Sequence, residues 1–321
     1  MMNIVITGAL GHIGSRFIHD LRPGDFGRVV LVDNLATQRY ASLFSLPDGV
    51  PFRFVEADVF KADLDSLFAG ADVVLHLAAI TDATNSFEIQ DQIERVNHEG
   101  TLKVAQACIR AQCPLIFISS TSVYGTQQEV VDESCSAAEL RPQSPYAEAK
   151  LKSEQMLQTL GEKEGLRFIT CRFGTIFGVS PGMRFHTAVN KFAWQACVGK
   201  PLTVWRTAMD QKRPYLDLGD AVRSLRFIME QNLFDNGVYN VLTANATVRE
   251  IVGIIQSQIR NVQVEYVDTR IMNQLSYHVL NEKFRARGFA FTGSVEEGIK
   301  QTIHLLRNVR AEDAACFITR T

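Results

Sequence analysis

Short apolar runs alternate with helix-like patterns along the first half of the chain. The runs lie at residues 3–7, 29–33, 52–58, 72–79, 115–120 and 167–173. Runs that are apolar at nearly every position are expected of parallel strands, because helices cover such a sheet on both faces. Strands that alternate with helices in this way predict an α/β protein with a doubly wound parallel sheet.

The rhythm changes after Gly174, where strands and helices no longer alternate regularly. The elements predicted beyond it are a helix over 185–196, short strands over 202–205 and 215–218, a helix over 220–231 and a strand over 237–241. Thr247 and Ser294 are each followed three residues later by a glutamate, a capping-box pattern that predicts a helix start. Earlier in the chain, the segment 90–111 has the apolar spacing of a single long helix.

Three glycines, Gly8, Gly11 and Gly14, lie between the first predicted strand and the helix that follows it. The N-terminus of a helix presents free N–H groups and partial positive charge, so a pyrophosphate can bind there if no side chain blocks the backbone. Glycines alone are a weak signal, because many tight turns need one or two. Their position directly after the first strand favours a dinucleotide-binding turn.

A carboxylate, Asp33, ends the second predicted strand. This is where a dinucleotide-binding unit holds the adenosine ribose, and Asp33 would accept hydrogen bonds from both ribose hydroxyls. It would also repel a 2′-phosphate, which favours NAD over NADP, although Arg39 nearby leaves NADP open. The alternative is that Asp33 only begins a turn with Asn34.

Tyr146 and Lys150 are four residues apart in a segment that begins with Ser144 and Pro145. A serine N-cap and a first-turn proline predict a helix start, and the spacing places the phenol and the ammonium on one helix face. A cation nearby favours the phenolate of a tyrosine, so Tyr146 is a candidate proton carrier. Taken alone, the spacing more often marks a packed aromatic beside a solvated lysine.

Composition narrows the function classes. The chain has 321 residues, of which 46% are hydrophobic, and a net charge of −2, which leaves no basic excess for a nucleic-acid partner. No apolar run has the roughly 18–20 residues of a membrane span, and no secretory leader is recognised. The six cysteines have no paired spacing and the histidines no His-x-x-x-His, so we expect reduced thiols, a cytoplasmic location and no metal.

Taken together, these residues resemble the extended short-chain dehydrogenase/reductase family, specifically its NAD-dependent nucleotide-sugar epimerase/dehydratase group. The resemblance extends over nearly the whole chain. Each matching residue is common, but the ordered set is specific. The set comprises Gly8, Gly11, Gly14, Asp33, Asp58, Val59, His76 to Ala79, Asn97, Ser119, Ser120, Val123 to Gly125, Tyr146, Lys150, Arg172, Arg213, Tyr215 and Asp220.

The resemblance implies a fold, a domain division and an assembly. We expect a Rossmann-type doubly wound sheet with a smaller, mostly C-terminal α/β substrate domain. The expected division is an NAD-binding domain over 1–174 with 213–243 returning to it, a substrate-binding domain over 175–212 and 244–310, and a tail over 311–321. The family also implies a homodimer built from the helices that carry Asn97 and Tyr146.

The resemblance further implies site residues. Tyr146 would be the general base and acid, Lys150 would lower its pKa and bind the nicotinamide ribose, and Ser120 would hydrogen-bond the reacting hydroxyl. The implied NAD-binding residues are Gly8, Gly11, His12, Ile13, Gly14, Asp33, Asn34, Asp58, Val59, Leu77, Ala78, Ala79, Asn97, Tyr146 and Lys150. The implied substrate-binding residues are Thr81, Ser120, Thr121, Ser122, Thr175, Arg213 and Arg270.

Two of these substrate residues are arginines. Arg213 stands where the family commonly holds the sugar nucleotide's diphosphate, a task for a bidentate and always charged group. Read from local sequence alone, Arg213 could instead be a surface arginine beside Lys212. Arg270 is the nearest match to a second diphosphate-binding arginine.

Departures from the family pattern reduce the number of reactions that the chain could catalyse. Thr121 and Ser122 stand where family dehydratases carry an acidic pair, and elimination of water needs an acid and a base. Family decarboxylases carry a glutamate at the Ser122 position, so they are disfavoured too. Thr175 replaces a substrate-binding asparagine of many members, which leaves the sugar and the nucleotide open.

The sequence therefore predicts an NAD-dependent nucleotide-sugar 4-epimerase, closest in type to UDP-glucose 4-epimerase and acting on a UDP-hexose. It would oxidise the sugar transiently at C4 and return the hydride. One alternative is a net keto-sugar reductase or small-alcohol dehydrogenase that uses the same residues. Another is a non-catalytic dinucleotide sensor, which is disfavoured because Tyr146 and Lys150 are both present.

Overall fold

The structure is a computed structural model that describes residues 1–81, 85–125, 129–267 and 276–309. Its strands are β1 (Asn3–Thr7), β2 (Arg28–Asp33), β3 (Phe52–Glu56), β4 (Val73–His76), β5 (Leu115–Ser120), β6 (Val130–Val131), β7 (Phe168–Phe173), β8 (Thr175–Phe177), β9 (Leu202–Trp205), β10 (Lys212–Asp217), β11 (Val238–Val241), β12 (Ala244–Thr247), β13 (Val264–Val267) and β14 (His278–Val279). Its α-helices are α1 (His12–His19), α2 (Leu64–Phe68), α3 (Gln90–Ile93), α4 (Gly100–Ala111), α5 (Pro145–Glu164), α6 (Ala188–Cys197), α7 (Leu218–Glu230), α8 (Val248–Gln258), α9 (Glu282–Arg285) and α10 (Val295–Leu306). Short 3₁₀ helices lie at Tyr40–Leu43, Asn85–Phe87 and Thr121–Tyr124, and a π-helix at Glu94–Glu99.

Seven strands form one sheet in the order β11-β7-β5-β4-β1-β2-β3. All neighbouring pairs in it are parallel. The predicted doubly wound α/β fold is therefore confirmed. The chain moves outward in opposite directions from β1 and β4, and ligands of such sheets bind in the crevice at the carboxyl ends of those two strands.

Both faces of this sheet are buried. Ile4 and Ile6 of β1 face a core that includes Phe17, whereas Val5 between them faces a second core that includes Phe68. Each of these strand residues has no exposed surface. This is why the sequence shows continuous apolar runs in place of the apolar and polar alternation of a half-exposed strand.

A smaller sheet extends the molecule beyond the carboxyl ends of the large one. It has the order β12-β10-β8 and packs with α6, α8 and α10 around a third core. Strand β10 lies, except for Lys212, within the range 213–243 that we expected to return to the NAD-binding domain. It nevertheless pairs with β8 and β12 of the smaller sheet. We therefore propose that the large-sheet unit resumes at α7, which begins at Leu218.

The segment 90–111 differs from the single α-helix that its pattern predicts. It consists of α3, the π-helix Glu94–Glu99 and α4. A π-helix inserts an extra residue per turn, and here that turn contains the buried Asn97. Asn97 donates from Nδ2 to the Ile80 carbonyl and accepts from the Ile80 N–H, each at 2.8 Å, which fixes the loop that follows β4.

Helix starts agree with the sequence patterns. Thr247 and Glu250 form the complete capping box, and the Ser294 hydroxyl accepts from the Glu297 N–H. At α5 the Ser144 hydroxyl accepts from the Ala147 N–H at 3.2 Å, ahead of a first-turn proline. The start of α5 therefore fixes the direction in which Tyr146 leaves the helix.

The structure bears on two expectations from composition, those about a membrane span and about the cysteines. In the part of the chain that the structure describes, no helix combines the length and apolar character that a membrane span requires. The cysteines of that part are free thiols, namely Cys108, Cys113, Cys135, Cys171 and Cys197.

Gly8 and Gly70 form a matched pair for testing the turn after β1. Both have a φ of 68°, but a Cβ on Gly8 would lie 2.5 Å from the Ala78 nitrogen, and a Cβ on Gly70 would meet nothing nearer than 4.0 Å. Gly70→Ala should lower the free energy of unfolding by about 1–2 kcal/mol, the cost of a left-handed alanine. Gly8→Ala should lower it by at least about 1 kcal/mol more, because backbone must also move. Urea denaturation measures both, and equal losses would contradict the close approach.

Candidate active site

The glycine turn is tightly packed at Gly8 and Gly14 and less crowded at Gly11. A Cβ on Gly8 would strike the backbone after β4, and one on Gly14 would lie 2.4 Å from a carbonyl oxygen of the same turn. At Gly11 a Cβ would meet only the Gly8 oxygen, at 3.3 Å, and Arg39 Nη1, at 3.8 Å. Gly11 is the N-cap of α1 and supplies no side chain to its first N–H groups. The turn thus has the form of an anion-binding helix N-terminus.

A second loop, residues 178–184, crosses this turn, and the sequence did not predict that contact. His12 Nε2 donates to the Gly178 carbonyl at 2.9 Å, and the Gly182 N–H donates to Ser15 Oγ at 2.9 Å. A Cβ on Gly182 would lie 2.3 Å from the Leu10 oxygen, so only glycine fits. Burial, followed by the charge of Arg184, lowers the pKa of His12 to about 3, which keeps this imidazole neutral.

The residues predicted for the adenosine end lie together at the ends of β2 and β3. The Asp33 carboxylate accepts from the Leu10 N–H at 3.0 Å, which ties β2 to the glycine turn. Asn34 Nδ2 donates to Asp58 Oδ2 at 2.9 Å. Val59 is buried in the core beside them.

The residues predicted around the end of β4 have two different roles: one links secondary-structure elements, and others line a cavity. His76 is held between the hydroxyls of Thr7, at 2.7 Å, and Thr101, at 3.1 Å, and burial lowers its pKa to about 3. It links β1, β4 and α4 as a neutral group. Leu77 and Ala79 line the cavity described below.

The three predicted catalytic residues come together from two elements. Strand β5 ends at Ser120, which lines the same cavity as Tyr146 of α5. One turn along α5, Lys150 donates from Nζ to the Ile118 carbonyl at 2.8 Å. Lys150 Nζ lies 6.0 Å from the centroid of the Tyr146 ring.

The electrostatics of Tyr146 differ from what the Tyr-x-x-x-Lys spacing predicts. Burial raises the pKa of Tyr146, and the charge of Arg184 and the hydrogen bond with Ser120 oppose that rise. Lys150 is not among the causes of this shift, and its ammonium donates to the Ile118 carbonyl of β5. That Lys150 lowers the pKa of Tyr146 therefore stays a prediction. Burial also lowers the pKa of Lys150 to about 8, against the charge of Glu154.

A narrow cavity of about 210 Å³ surrounds these groups. The predicted residues Ile13 and Thr81 line it together with Tyr146 and Lys150. Arg184, which the sequence did not single out, enters the same cavity and donates to the Thr81 hydroxyl. The signal that could have identified it is the Pro181-Gly182 pair just before it, which marks a loop but not its destination.

A wider cavity of about 540 Å³ adjoins the narrow one. The residues that line both are Ser120, Ser122, Thr175 and Thr187. Thr121 and Arg213 line the wider one, and the Arg213 guanidinium lies 5.3 Å from the centroid of the Tyr277 ring. Lys191 and Trp205 also line it and were missed by the sequence patterns. The predicted Arg270 lies outside the described residues.

Comparison with known proteins agrees with this geometry. Residues 4–241 match the model of the NAD dependent epimerase/dehydratase family. The chain belongs to that family. It is therefore an enzyme of the extended short-chain dehydrogenase/reductases, and its cofactor is NAD.

Relatives differ in reaction and in length. The uncharacterized UDP-glucose epimerase YtcB of Bacillus subtilis is 29% identical over 265 residues, which cover 79% of this chain and 81% of that protein. A trifunctional UDP-glucose 4,6-dehydratase/UDP-4-keto-6-deoxy-D-glucose 3,5-epimerase/UDP-4-keto-L-rhamnose-reductase of Arabidopsis thaliana is 27% identical over 94% of this chain. The chain spans only 46% of that plant protein's length.

Two solved structures share the fold over nearly their whole length. UDP-glucose 4-epimerase of Thermus thermophilus, in complex with NAD, is 26% identical with a TM-score of 0.82, over 96% of this chain and 99% of that one. UDP-glucuronic acid 4-epimerase of Bacillus cereus, in complex with UDP-glucuronic acid and NAD, is 25% identical with a TM-score of 0.83, over 95% and 99%.

The residues around the glycine turn of this epimerase/dehydratase family member fit an NAD molecule. The turn leaves the first N–H groups of α1 without a side-chain cap, and Asp33 stands at the end of the neighbouring strand. Neutral His12 and the left-handed Gly8 keep that turn close to the sheet. The dinucleotide's pyrophosphate would lie at α1 and its ribose at Asp33.

A buried ion pair stabilises the position of α5, the helix that carries Tyr146 and Lys150. Glu154 of α5 accepts from Arg172 of β7 at 3.0 and 2.7 Å, and also from the Ser119 hydroxyl of β5. The two charged side chains are only 5% and 6% exposed. The Arg172 guanidinium lies 4.7 Å from the centroid of the Tyr124 ring. Helix α5 is thereby fixed to both strands that flank the site.

Arg172→Met should lower the free energy of unfolding by about 3–5 kcal/mol, because it leaves the Glu154 carboxylate buried without its partner. Arg110→Met is the matched control. It removes an arginine from a 2.8 Å pair with Asp65 in which both side chains are more than half exposed. Exposed pairs stabilise little, so the control should lose several times less. Similar losses in urea denaturation would contradict the supporting role of the buried pair.

Proposed function

We propose that this enzyme is an NAD-dependent nucleotide-sugar 4-epimerase of the UDP-glucose 4-epimerase type. The observation that carries the proposal is the chemistry of the two cavities. Tyr146 and Ser120 line the narrow cavity, and the basic residues Lys150, Arg184, Lys191 and Arg213 line one or the other. None of the described residues that line them is an aspartate or a glutamate. Such a site favours an anionic substrate and proton transfer by one phenol.

The lack of a carboxyl group among those lining residues argues against dehydration. Removing water from the sugar takes an acid and a base besides the tyrosine. At the positions where family dehydratases carry acids, Thr121 donates to the Phe173 carbonyl at 3.4 Å and Ser122 donates to Ser120 at 2.9 Å. Neither hydroxyl can replace a carboxylic acid near neutral pH.

In the proposed reaction the chain's own residues bind the sugar and move one proton. Tyr146, as phenolate, accepts the proton of the C4 hydroxyl, while Ser120 holds that hydroxyl in place. Bound NAD supplies a reversible acceptor for the hydride of C4. Tyr146 then returns the proton to the same oxygen after the keto sugar has turned in the cavity. Positioning and proton transfer would supply most of the rate, the latter typically about 10²- to 10⁴-fold.

The wider cavity would hold the nucleotide end of the substrate. Its volume of about 540 Å³ lies within the roughly 300–1,000 Å³ of small-molecule sites. Arg213 offers a planar, permanently charged group that can bind a phosphate through two hydrogen bonds. Trp205 in the same cavity offers an aromatic face for a base.

A net keto-sugar reductase or dehydrogenase remains the alternative within the same fold, since one scaffold hosts many reactions. Stoichiometric consumption of added NADH or NADPH would favour it. A non-catalytic dinucleotide sensor is disfavoured, because Tyr146 and Lys150 are both present and both line the cavity.

We further propose that the protein acts as a cytoplasmic homodimer. The free thiols of the described cysteines are consistent with a reducing compartment. The family resemblance implies a dimer contact through the helices that carry Asn97 and Tyr146, and in this chain the π-helix with Asn97 packs against α5.

Tyr146→Phe should lower turnover by at least about 10²-fold and leave NAD binding intact, because only the proton-carrying oxygen is removed. The measurement is incubation with NAD and a panel of UDP-, GDP-, CDP- and dTDP-sugars, with the epimers resolved by chromatography. Tyr124→Phe is the matched control. It also removes a buried phenol oxygen, one that donates to Asn240 at 2.8 Å, but Tyr124 does not line either cavity. A variant that keeps substantial activity, or a wild-type enzyme that changes no sugar, would refute the proposal.

A specific observation favours a second candidate, a nucleotide uronic acid 4-epimerase. Arg184 places a guanidinium in the narrow cavity, where its charge acts on Tyr146. A sugar carboxylate would match that fork through two charge-assisted hydrogen bonds. The Bacillus cereus structure, a UDP-glucuronic acid 4-epimerase, supports this choice of substrate.

If the substrate is a uronic acid, Arg184→Gln should reduce kcat/KM for UDP-glucuronic acid about 10²-fold more than for UDP-glucose, since it removes the partner of the carboxylate. Arg213→Gln is the control, because the diphosphate that it would bind is common to both substrates. It should therefore reduce both values by the same factor. Equal effects of Arg184→Gln on the two substrates would exclude the uronic acid assignment.

A further inference from the structure

Loop 178–184, which crosses the glycine turn, is held at both ends by one side chain. The loop begins at Gly178, directly after β8, and ends at Arg184 in the narrow cavity. Asn190 lies in the first turn of α6 and has no exposed surface. Its Oδ1 accepts from the Gly178 N–H at 3.2 Å, and its Nδ2 donates to the Arg184 carbonyl at 3.0 Å. One buried amide therefore joins the two ends of the loop.

The backbone fixes the direction of both hydrogen bonds. A backbone N–H donates and a carbonyl oxygen accepts, so Gly178 requires the oxygen of the Asn190 amide and Arg184 requires its nitrogen. A carboxylate could satisfy Gly178 alone, and an alkyl group could satisfy neither end. The amide of asparagine therefore matches the polarity of both loop ends.

The backbone and the side chain of Arg184 are held by different groups. Helix α1 holds the middle of the loop, where the Gly182 N–H donates to Ser15 Oγ at 2.9 Å. Arg184 lies two residues farther along, where its carbonyl accepts from Asn190 and its guanidinium donates to the Thr81 hydroxyl. Asn190 thus fixes the point at which this side chain leaves the backbone, and Thr81 holds its charged end.

We propose that Asn190 is a positioning residue that joins the ends of loop 178–184 and thereby holds the Arg184 guanidinium in the cavity that Tyr146 lines. The inference rests on the proposed function for the role of that charge in the reaction. The charge of Arg184 opposes the rise that burial causes in the pKa of Tyr146. Its planar fork would also suit a sugar carboxylate. Asn190 itself lines neither cavity, so it acts on the site through the loop.

Two substitutions separate the two hydrogen bonds. Asn190→Leu removes both of them. Asn190→Asp has nearly the same size and keeps an acceptor for the Gly178 N–H, but the ionised carboxylate has no hydrogen to donate to the Arg184 carbonyl. Because Asn190→Asp preserves the packing of α6, it tests the inference even where Asn190→Leu does not fold.

The chain offers a matched control in Asn245 of β12. This residue also holds a distant backbone segment through both ends of its amide, since Nδ2 donates to the Val279 carbonyl and Oδ1 accepts from the Val279 N–H, each at 3.0 Å. Asn245 lines neither cavity of the site. Asn245→Leu therefore removes two hydrogen bonds of the same type that lie outside loop 178–184.

The direct test is a set of crystal structures of the NAD-bound wild type and the three variants. The Arg184 guanidinium should contact the Thr81 hydroxyl in wild type and in Asn245→Leu, and should have lost that contact in both Asn190 variants. A contact that persists in the Asn190 variants, that is also lost in Asn245→Leu, or that is absent from wild type would overturn the inference. This readout needs no turnover, so it is independent of the proposed reaction.

A double-mutant cycle is the second readout, with any substrate that the enzyme converts. At saturating NAD, Asn190→Leu should lower kcat/KM about 10-fold, the effect of losing a buried hydrogen bond. In the Arg184→Gln background the same change should alter kcat/KM by less than about twofold, because the side chain that Asn190 positions is gone. Equal losses in the two backgrounds would mean a general structural effect and would contradict the positioning role.

Discussion

Burial of the Tyr146 phenol is the constraint around which the rest of the site is arranged. Removing an ionisable group from water disfavours its charged form, and burial accordingly raises the pKa of this tyrosine. A proton acceptor has to overcome that effect. Two groups oppose it from within the cavity, the guanidinium of Arg184 and the hydroxyl of Ser120. Lys150 donates to the Ile118 carbonyl of the strand that carries Ser120.

The scaffold holds these groups through close backbone contacts and one buried ion pair. Glu154 and Arg172 fix helix α5 to β7, so the tyrosine keeps its position relative to the strand that carries Ser120. On the cofactor side, Gly182 packs against the glycine turn and brings Arg184 into the cavity. The two sides therefore meet at the carboxyl ends of the central strands, the crevice that doubly wound sheets use for ligands.

The parts of this arrangement that depend on local pattern could be predicted from the sequence. Apolar runs identified the strands, and Ser144 with Pro145 identified the start of α5. Other parts depend on contacts between distant segments. The π-helix forms where Asn97 reaches Ile80, and Arg184 enters the cavity because its loop packs on residues near the chain's start. The burial of Tyr146 and the contact of Lys150 with the Ile118 carbonyl were likewise not predictable, since spacing along a helix shows neither.

The central claim is that C4 is oxidised and reduced within one turnover by a single proton-carrying phenol. The most direct measurement uses UDP-glucose, and in parallel UDP-glucuronic acid, deuterated at C4 and incubated with the enzyme and NAD. The account predicts inversion at C4 in at least one of them, deuterium retained on that carbon in the product, and no net reduced cofactor. Loss of deuterium from C4, accumulation of reduced cofactor, or a 4-keto-6-deoxy product would contradict it.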